Sequence, residues 1–136
     1  MQATKYNIHL ADDDEDDLEL FEDAISEVQK DAQVIKFKKG QEMISHLEDK
    51  GLNLPRIIFL DLNMPGMNGE ECLIKIRDNK RLDLIPVVIY STTFVTKVAK
   101  RLASQGANIY VQKPSSFALL KSILERSIQA AITDNP

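Results

Sequence analysis

Four short apolar runs each lead into residues able to do chemistry. Ile8-His9-Leu10-Ala11 runs into Asp12, Asp13 and Asp14, and Ile57-Ile58-Phe59-Leu60 into Asp61, Leu62, Asn63, Met64 and Pro65. Val87-Val88-Ile89-Tyr90 leads to Ser91 and Thr92, and Ile109-Tyr110-Val111 leads, past Gln112, to Lys113 and Pro114. Grouped carboxylates repel one another, so a pocket of them is costly unless a cation neutralises it. Carboxylate-rich, all-oxygen sites select hard cations such as Mg²⁺, which keeps some of its waters and leaves room for a phosphoryl oxygen. An aspartate can itself attack phosphorus and form an acyl phosphate. The transferring group carries spread negative charge, which a metal and a lysine stabilise. A hydroxyl opposite can hydrogen-bond a phosphoryl oxygen. Asp12, Asp13, Asp61, Ser91 and Lys113 together supply every element of that chemistry.

The elements that must position these residues are legible in the periodicity. Apolar runs alternate with helix-period segments about five times, which predicts an α/β fold with a parallel sheet and helices on both faces. The run Ile57–Leu60 is apolar throughout, as suits a strand covered on both sides. Further strands are expected at Ile8–Ala11, Val34–Phe37, Val87–Tyr90 and Ile109–Val111. Asp14 reads as the cap of a first helix whose face carries Leu18, Phe21, Ile25 and Val28. A second helix spans Gln41 to Lys50 and stops at Gly51. Asn68 caps a third, with Glu71 three residues later and Cys72, Leu73 and Ile76 facing inward. Val95, Val98 and Leu102 mark a fourth helix ending near Gly106. Ser115 or Ser116 caps the last, which carries Phe117, Leu120, Leu124, Ile128 and Ala131. In such a sheet, the loops after the carboxyl ends of the strands gather at one edge, and ligands bind there.

The 136 residues fit one domain, 1–136, with a core from about 6 to 131 and short frayed ends at Met1–Thr4 and Thr133–Pro136. With 43% hydrophobic and 28% charged residues, the chain falls within the globular range. A formal net charge of −4 argues against a general nucleic-acid or membrane binder, because both partners favour an excess of Lys and Arg. Cys72 is the single cysteine, so neither an internal disulfide nor a cysteine zinc site is possible; it reads as a small apolar helix residue. There is no signal-peptide core and no apolar run long enough for a membrane span, and a cytoplasmic location is expected.

As a set, these residues resemble the receiver domain of two-component response regulators, in its chemotaxis-type single-domain form. The resemblance runs from about Tyr6 to Ala131. Any one piece of it is weak, but the pieces together, in order and at family spacing, are strong. It implies a flavodoxin-like doubly wound sheet of strand order 2-1-3-4-5. Asp61 in Asp61-Leu62-Asn63-Met64-Pro65-Gly66-Met67-Asn68-Gly69 matches the phosphoacceptor. Asp13 matches a direct Mg²⁺ ligand, Asp12 one acting mostly through water, and Asn63 a ligand through its backbone carbonyl. Pro65 and Gly69 match the turn positions of that loop. Ser91 matches the Thr/Ser switch, Tyr110 the aromatic switch and Lys113 the phosphate-contacting lysine. The Lys113–Pro114 bond is often cis in the family, which would aim the amine at the site.

Some positions depart from the pattern. His9 stands where an aliphatic residue is usual, and Thr92 where a smaller residue is common. Asn63 and Thr93 occupy the positions that tune how long the phosphoryl group lasts. The acids Asp14 to Asp17 have a plainer explanation, since acids favour the positive end of a helix. His9 is expected to be buried and His46 exposed, with neither a phosphorelay donor. Tyr110 has an alternative as an ordinary half-buried aromatic, and Met64 and Met67 as loop packing.

The resemblance implies a switch that accepts phosphoryl from a sensor histidine kinase or phosphotransfer protein, acts on a downstream protein, and catalyses only its own phosphorylation and dephosphorylation. The stretch Ala131 to Pro136 leaves no room for a DNA-binding output domain, so output by protein contacts, relay or phosphate storage is expected; the family's last helices also allow a homodimer. The rival enzyme reading is a Mg²⁺-dependent aspartyl-phosphate phosphatase, which would need an acid where Asn63 stands. A flavin or nucleotide binder would need a phosphate loop where the repelling acids Asp12 to Asp14 stand.

Overall fold

A computed structural model of the chain describes residues 6–134, with side chains to residue 132. The expected frayed end Met1–Thr4, and Asn135 and Pro136, lie outside the described residues. Five strands, β1 (Tyr6–Ala11), β2 (Ala32–Phe37), β3 (Ile57–Leu60), β4 (Val87–Ser91) and β5 (Ile109–Gln112), form one sheet. They alternate with α1 (Glu15–Val28), α2 (Gly40–Glu48), α3 (Gly69–Asp78), α4 (Thr96–Ser104) and α5 (Phe117–Asp134). The strand order is β2-β1-β3-β4-β5 and every pairing is parallel. This is the flavodoxin-like arrangement that the family resemblance implies. β1 and β2 begin two residues earlier than their apolar runs, because backbone pairing continues through the polar positions Asn7 and Gln33. α5 continues through Thr133 and Asp134, where the sequence alone points to fraying.

Alternation along each strand sends neighbouring side chains to opposite faces. Ile8, Leu10, Phe59, Val88 and Tyr90 pack under α1 and α5. Ala11, Ile58, Leu60, Val87 and Ile89 pack under α2, α3 and α4. Both faces are therefore dry, which is why the central strands read as unbroken apolar runs. Cys72 is a free, buried member of the second cluster, and burial pushes its thiol up to about 11.

The helix starts follow their caps. Asp14 accepts the N–H groups of Asp16 and Asp17. Asn68 and Glu71 form a reciprocal capping box. Ser116 is the residue that caps α5, since its Oγ accepts the Leu119 N–H at 3.1 Å. α4 departs from its expected face. Only Leu102 is buried, Val98 is half-buried, and Val95 precedes the helix and is 51% exposed. His46 is likewise half-buried rather than exposed: its ring packs edge-on against His9 and Phe37 at 5.2 and 5.3 Å. His9 is fully buried as expected, and neither of its ring nitrogens has a partner among the described residues. Burial, then the adjacent His46, lowers its pKa to about 4.

Candidate functional site

The ladder hydrogen bonds continue past the strand ends and set the site. The Asp12 N–H donates to the Phe37 carbonyl at 2.9 Å, and that of Asp61 to the Ala11 carbonyl at 2.9 Å. The Lys113 N–H donates to the Ser91 carbonyl at 2.7 Å. Asp12 and Asp61 thereby stand side by side where the strand order reverses between β1 and β3, the crevice in which open α/β sheets bind ligands. Ser91 and Lys113 flank them from β4 and β5.

The loop leaving Asp61 is shaped by two glycines for different reasons. Gly66 has φ +74°, a left-handed turn that an L side chain rarely adopts. Gly69 has no such φ, but a Cβ there would run into the Asp61 carbonyl oxygen and approach Leu62 Cα to 2.8 Å. Its N–H donates to the Leu62 carbonyl at 3.0 Å, closing the loop onto the start of α3.

Carboxylate oxygens of Asp12, Asp13 and Asp61 lie within 4.8 Å of one another. Asp12 is fully buried, Asp61 is 6% exposed, and Asp13 opens to solvent. Burial, and then the charge of Asp12, push Asp61 up to about 7 against the pull of Lys113. Burial also raises Asp12, opposed by its hydrogen bonds from Lys113 and the Asp14 N–H. Burial disfavours the charge on Lys113, yet its bonds to Asp12 and Asp17 outweigh that and raise its pKa. The Lys113 amine lies 2.7 Å from Asp12, 2.8 Å from Asp17 and 3.8 Å from Asp61, with the Tyr90 ring 5.0 Å away. Two crowded, buried carboxylates with a third at the rim form an all-oxygen donor set. That set suits a hard divalent cation, whose charge would offset the burial and the Asp12 repulsion that together raise Asp61.

The sequence-derived residues are brought together with one exception and one correction. Asp12, Asp13, Asp61, Ser91 and Lys113 share the edge, and the exposed Asn63 follows directly on its rim, its N–H bonded to Asp61. Tyr110 stands off: half-buried, it donates its hydroxyl to the Thr93 carbonyl at 2.6 Å and meets Phe94 edge-on at 5.1 Å. Ser91 is fully buried, and its Oγ accepts the Thr93 N–H at 3.3 Å. The correction concerns the Lys113–Pro114 bond, which is trans, as are all described peptide bonds. The amine reaches the acids from β5 regardless. Asp17 and Tyr90 were not singled out as site residues by sequence reasoning, although both touch Lys113. Their only signal is position: Asp17 precedes the core residue Leu18, and Tyr90 precedes Ser91.

A doubly wound α/β domain with an acid pocket, a lysine and a hydroxyl at its switch edge is the class these features define. The response regulator receiver domain profile matches residues 8–125, and the chain belongs to that family, the receivers of two-component systems. It is similar to the probable methanogenesis regulatory protein FilR2 of Methanothrix harundinacea, 36% identical over 91 residues, 65% of this chain and 59% of that protein. It resembles the phosphorylated cyanobacterial phytochrome response regulator RcpA, with TM-score 0.86, 25% identity and 98% of each chain covered. It also resembles the Mn²⁺-bound form of the Synechocystis response regulator Rcp1, with TM-score 0.79, 26% identity, and 89% and 90% covered. The chain spans about half the length of the curated relatives it matches.

Proposed function

We propose that this receiver is a phosphorylation-dependent signalling switch, working in the cytoplasm, in which Asp61 takes a phosphoryl group from a sensor histidine kinase or phosphotransfer protein. The observation that carries this reading is the buried Asp61 carboxylate, crowded by Asp12 and Asp13 and 3.8 Å from the Lys113 amine. Asp12, Asp13, Asp61 and the Asn63 backbone carbonyl would hold Mg²⁺, which supplies charge neutralisation and alignment at the phosphoryl oxygens when bound.

An Asp61 carboxylate oxygen attacks phosphorus in line, the P–O bond forms, and the P–N bond of the donor phosphohistidine breaks as the imidazole leaves. Lys113 turns one N–H toward a phosphoryl oxygen. The Ser91 hydroxyl gives up Thr93 and donates to another. That movement frees the volume into which Tyr110 repacks, releasing its bond to Thr93. Phosphorylation acts by biasing two pre-existing arrangements rather than by creating a new one. Water attack at the same phosphorus resets the switch, so the protein catalyses only its own modification. The signal passes by protein contact to a downstream protein.

Acetyl phosphate supplies a donor that needs no kinase. In Mg²⁺, intact mass should rise by one phosphoryl group, with no rise in EDTA or in Asp61→Asn. A gain in Asp61→Asn equal to that of the wild type would refute the assignment.

A further inference from the structure

An acid in the first turn of a helix needs no partner beyond the positive end of that helix. Asp17 nevertheless places its carboxylate 2.8 Å from Lys113 Nζ, as close as Asp12 does at 2.7 Å. The other acids of that turn do otherwise: Glu15 pairs with Lys38, and Asp16 is exposed with no ion pair among the described residues. An ammonium group has three donors. Two are engaged by Asp12 and Asp17, and Asp61 at 3.8 Å is beyond hydrogen-bond distance. The third donor is free, and a phosphoryl group on Asp61 competes with both acids for the amine. Asp12 is fully buried and also holds the Asp14 N–H. The Asp17 side chain is 30% exposed, so water can replace the bond it loses.

We propose that Asp17 is a positioning residue that holds the Lys113 amine off Asp61 in the unmodified protein and releases it when a phosphoryl group arrives. This rests on the reading of Asp61 as the phosphoacceptor. Asp17 then sets a threshold: the incoming group competes with its carboxylate for Lys113 and bears its charge nearby. Removing that charge should favour the occupied site.

The test is the affinity of the whole chain for beryllofluoride, a phosphoryl mimic, at saturating Mg²⁺, followed by NMR of the backbone amides and of the lysine ammonium groups in wild type, Asp17→Asn and Asp16→Asn. Asp17→Asn should bind about tenfold more tightly, the scale of one charge-assisted hydrogen bond. Asp16→Asn removes the same charge from the same turn without touching Lys113, and should stay within about twofold of wild type. The Lys113 ammonium resonance should move on ligand addition in wild type and lie part-way there already in free Asp17→Asn. A merely structural role for Asp17 would not move that resonance toward the bound position. Equal gains in both variants, or no gain in Asp17→Asn while wild type binds, would overturn the role of Asp17 alone. Wild-type protein that takes up no beryllofluoride would overturn the phosphoacceptor reading and this inference together.

Discussion

Burial and the Asp12 carboxylate both resist a negative charge at Asp61, and that resistance links the site to stability. The folded pKa of Asp61 is about 7, against an ordinary value of 3.8. A group raised in this way binds its proton more tightly in the folded chain than in the unfolded one. Its contribution is present at low pH and is lost as pH rises from about 4 through about 7. Without metal, Asp61→Asn should therefore be more stable than wild type at pH 8, by about 2–4 kcal/mol, and the gain should shrink to nothing near pH 4. Urea unfolding of both proteins at each pH reads this difference. His9 acts in the opposite direction, because its pKa is lowered and the unfolded chain takes up the extra proton as pH falls. Comparing the two proteins cancels His9, which both contain. Adding Mg²⁺ at pH 8 should stabilise wild type more than Asp61→Asn. A pH-independent difference would mean that the Asp61 charge is already well solvated.

Strand ends are positioned by the elements that lock the loops behind them, and Arg77 at the end of α3 does much of this. Its guanidinium donates to the carbonyls of Gly106, Leu82 and Ile85 at 3.0, 3.2 and 2.9 Å, and to Asn108 Oδ1 at 3.0 Å. Asn108 Oδ1 in turn accepts the Val87 N–H at 2.9 Å, so α3, the start of β4 and the α4–β5 loop are tied through one side chain. Gly106 completes the fit. It has φ +107°, and a Cβ there would meet Arg77 Cγ at 2.8 Å. Arg77→Met keeps the aliphatic stem but strands three carbonyls, and should cost about 2–4 kcal/mol in urea unfolding. A loss below about 0.5 kcal/mol would show that water replaces the guanidinium without penalty. The helix caps at Asp14 and Asn68 and the apolar strands were legible because each is a local pattern with one physical cause. Arg77 was not, since an arginine on a helix of mixed polarity reads as solvated until the loops it binds are folded beneath it. The short 3₁₀ turn Lys80–Leu82 was hidden for the same reason, being held by the Asn79 cap and Arg77 rather than by periodicity. α4 was misjudged on one residue, as Val95 matches a helical face that the sheet edge leaves uncovered.

Across the whole molecule, four distant segments meet at one sheet edge only because the strand order is β2-β1-β3-β4-β5. The alternation of strands and helices made that edge legible, and residue types at the strand ends made Asp12, Asp13, Asp61, Ser91 and Lys113 stand out. What the sequence could not give is which acid holds which donor. The reach of Asp17 to Lys113 spans 96 residues and exists only after α1 and the loop that follows β5 are folded together. Tyr110 belongs to the same scale: its hydroxyl on the Thr93 carbonyl couples β5 to the loop after β4, away from the acids. The central claim is that all this architecture serves a covalent step at one carboxylate. An acyl phosphate is reduced by borohydride to the alcohol, which converts an aspartyl phosphate to homoserine. Protein treated with acetyl phosphate and Mg²⁺, reduced and mapped by peptide mass, should carry homoserine at position 61 and nowhere else. Homoserine at Asp12 or Asp13, or a borohydride-resistant phosphate on Ser91 or Thr92, would contradict the account.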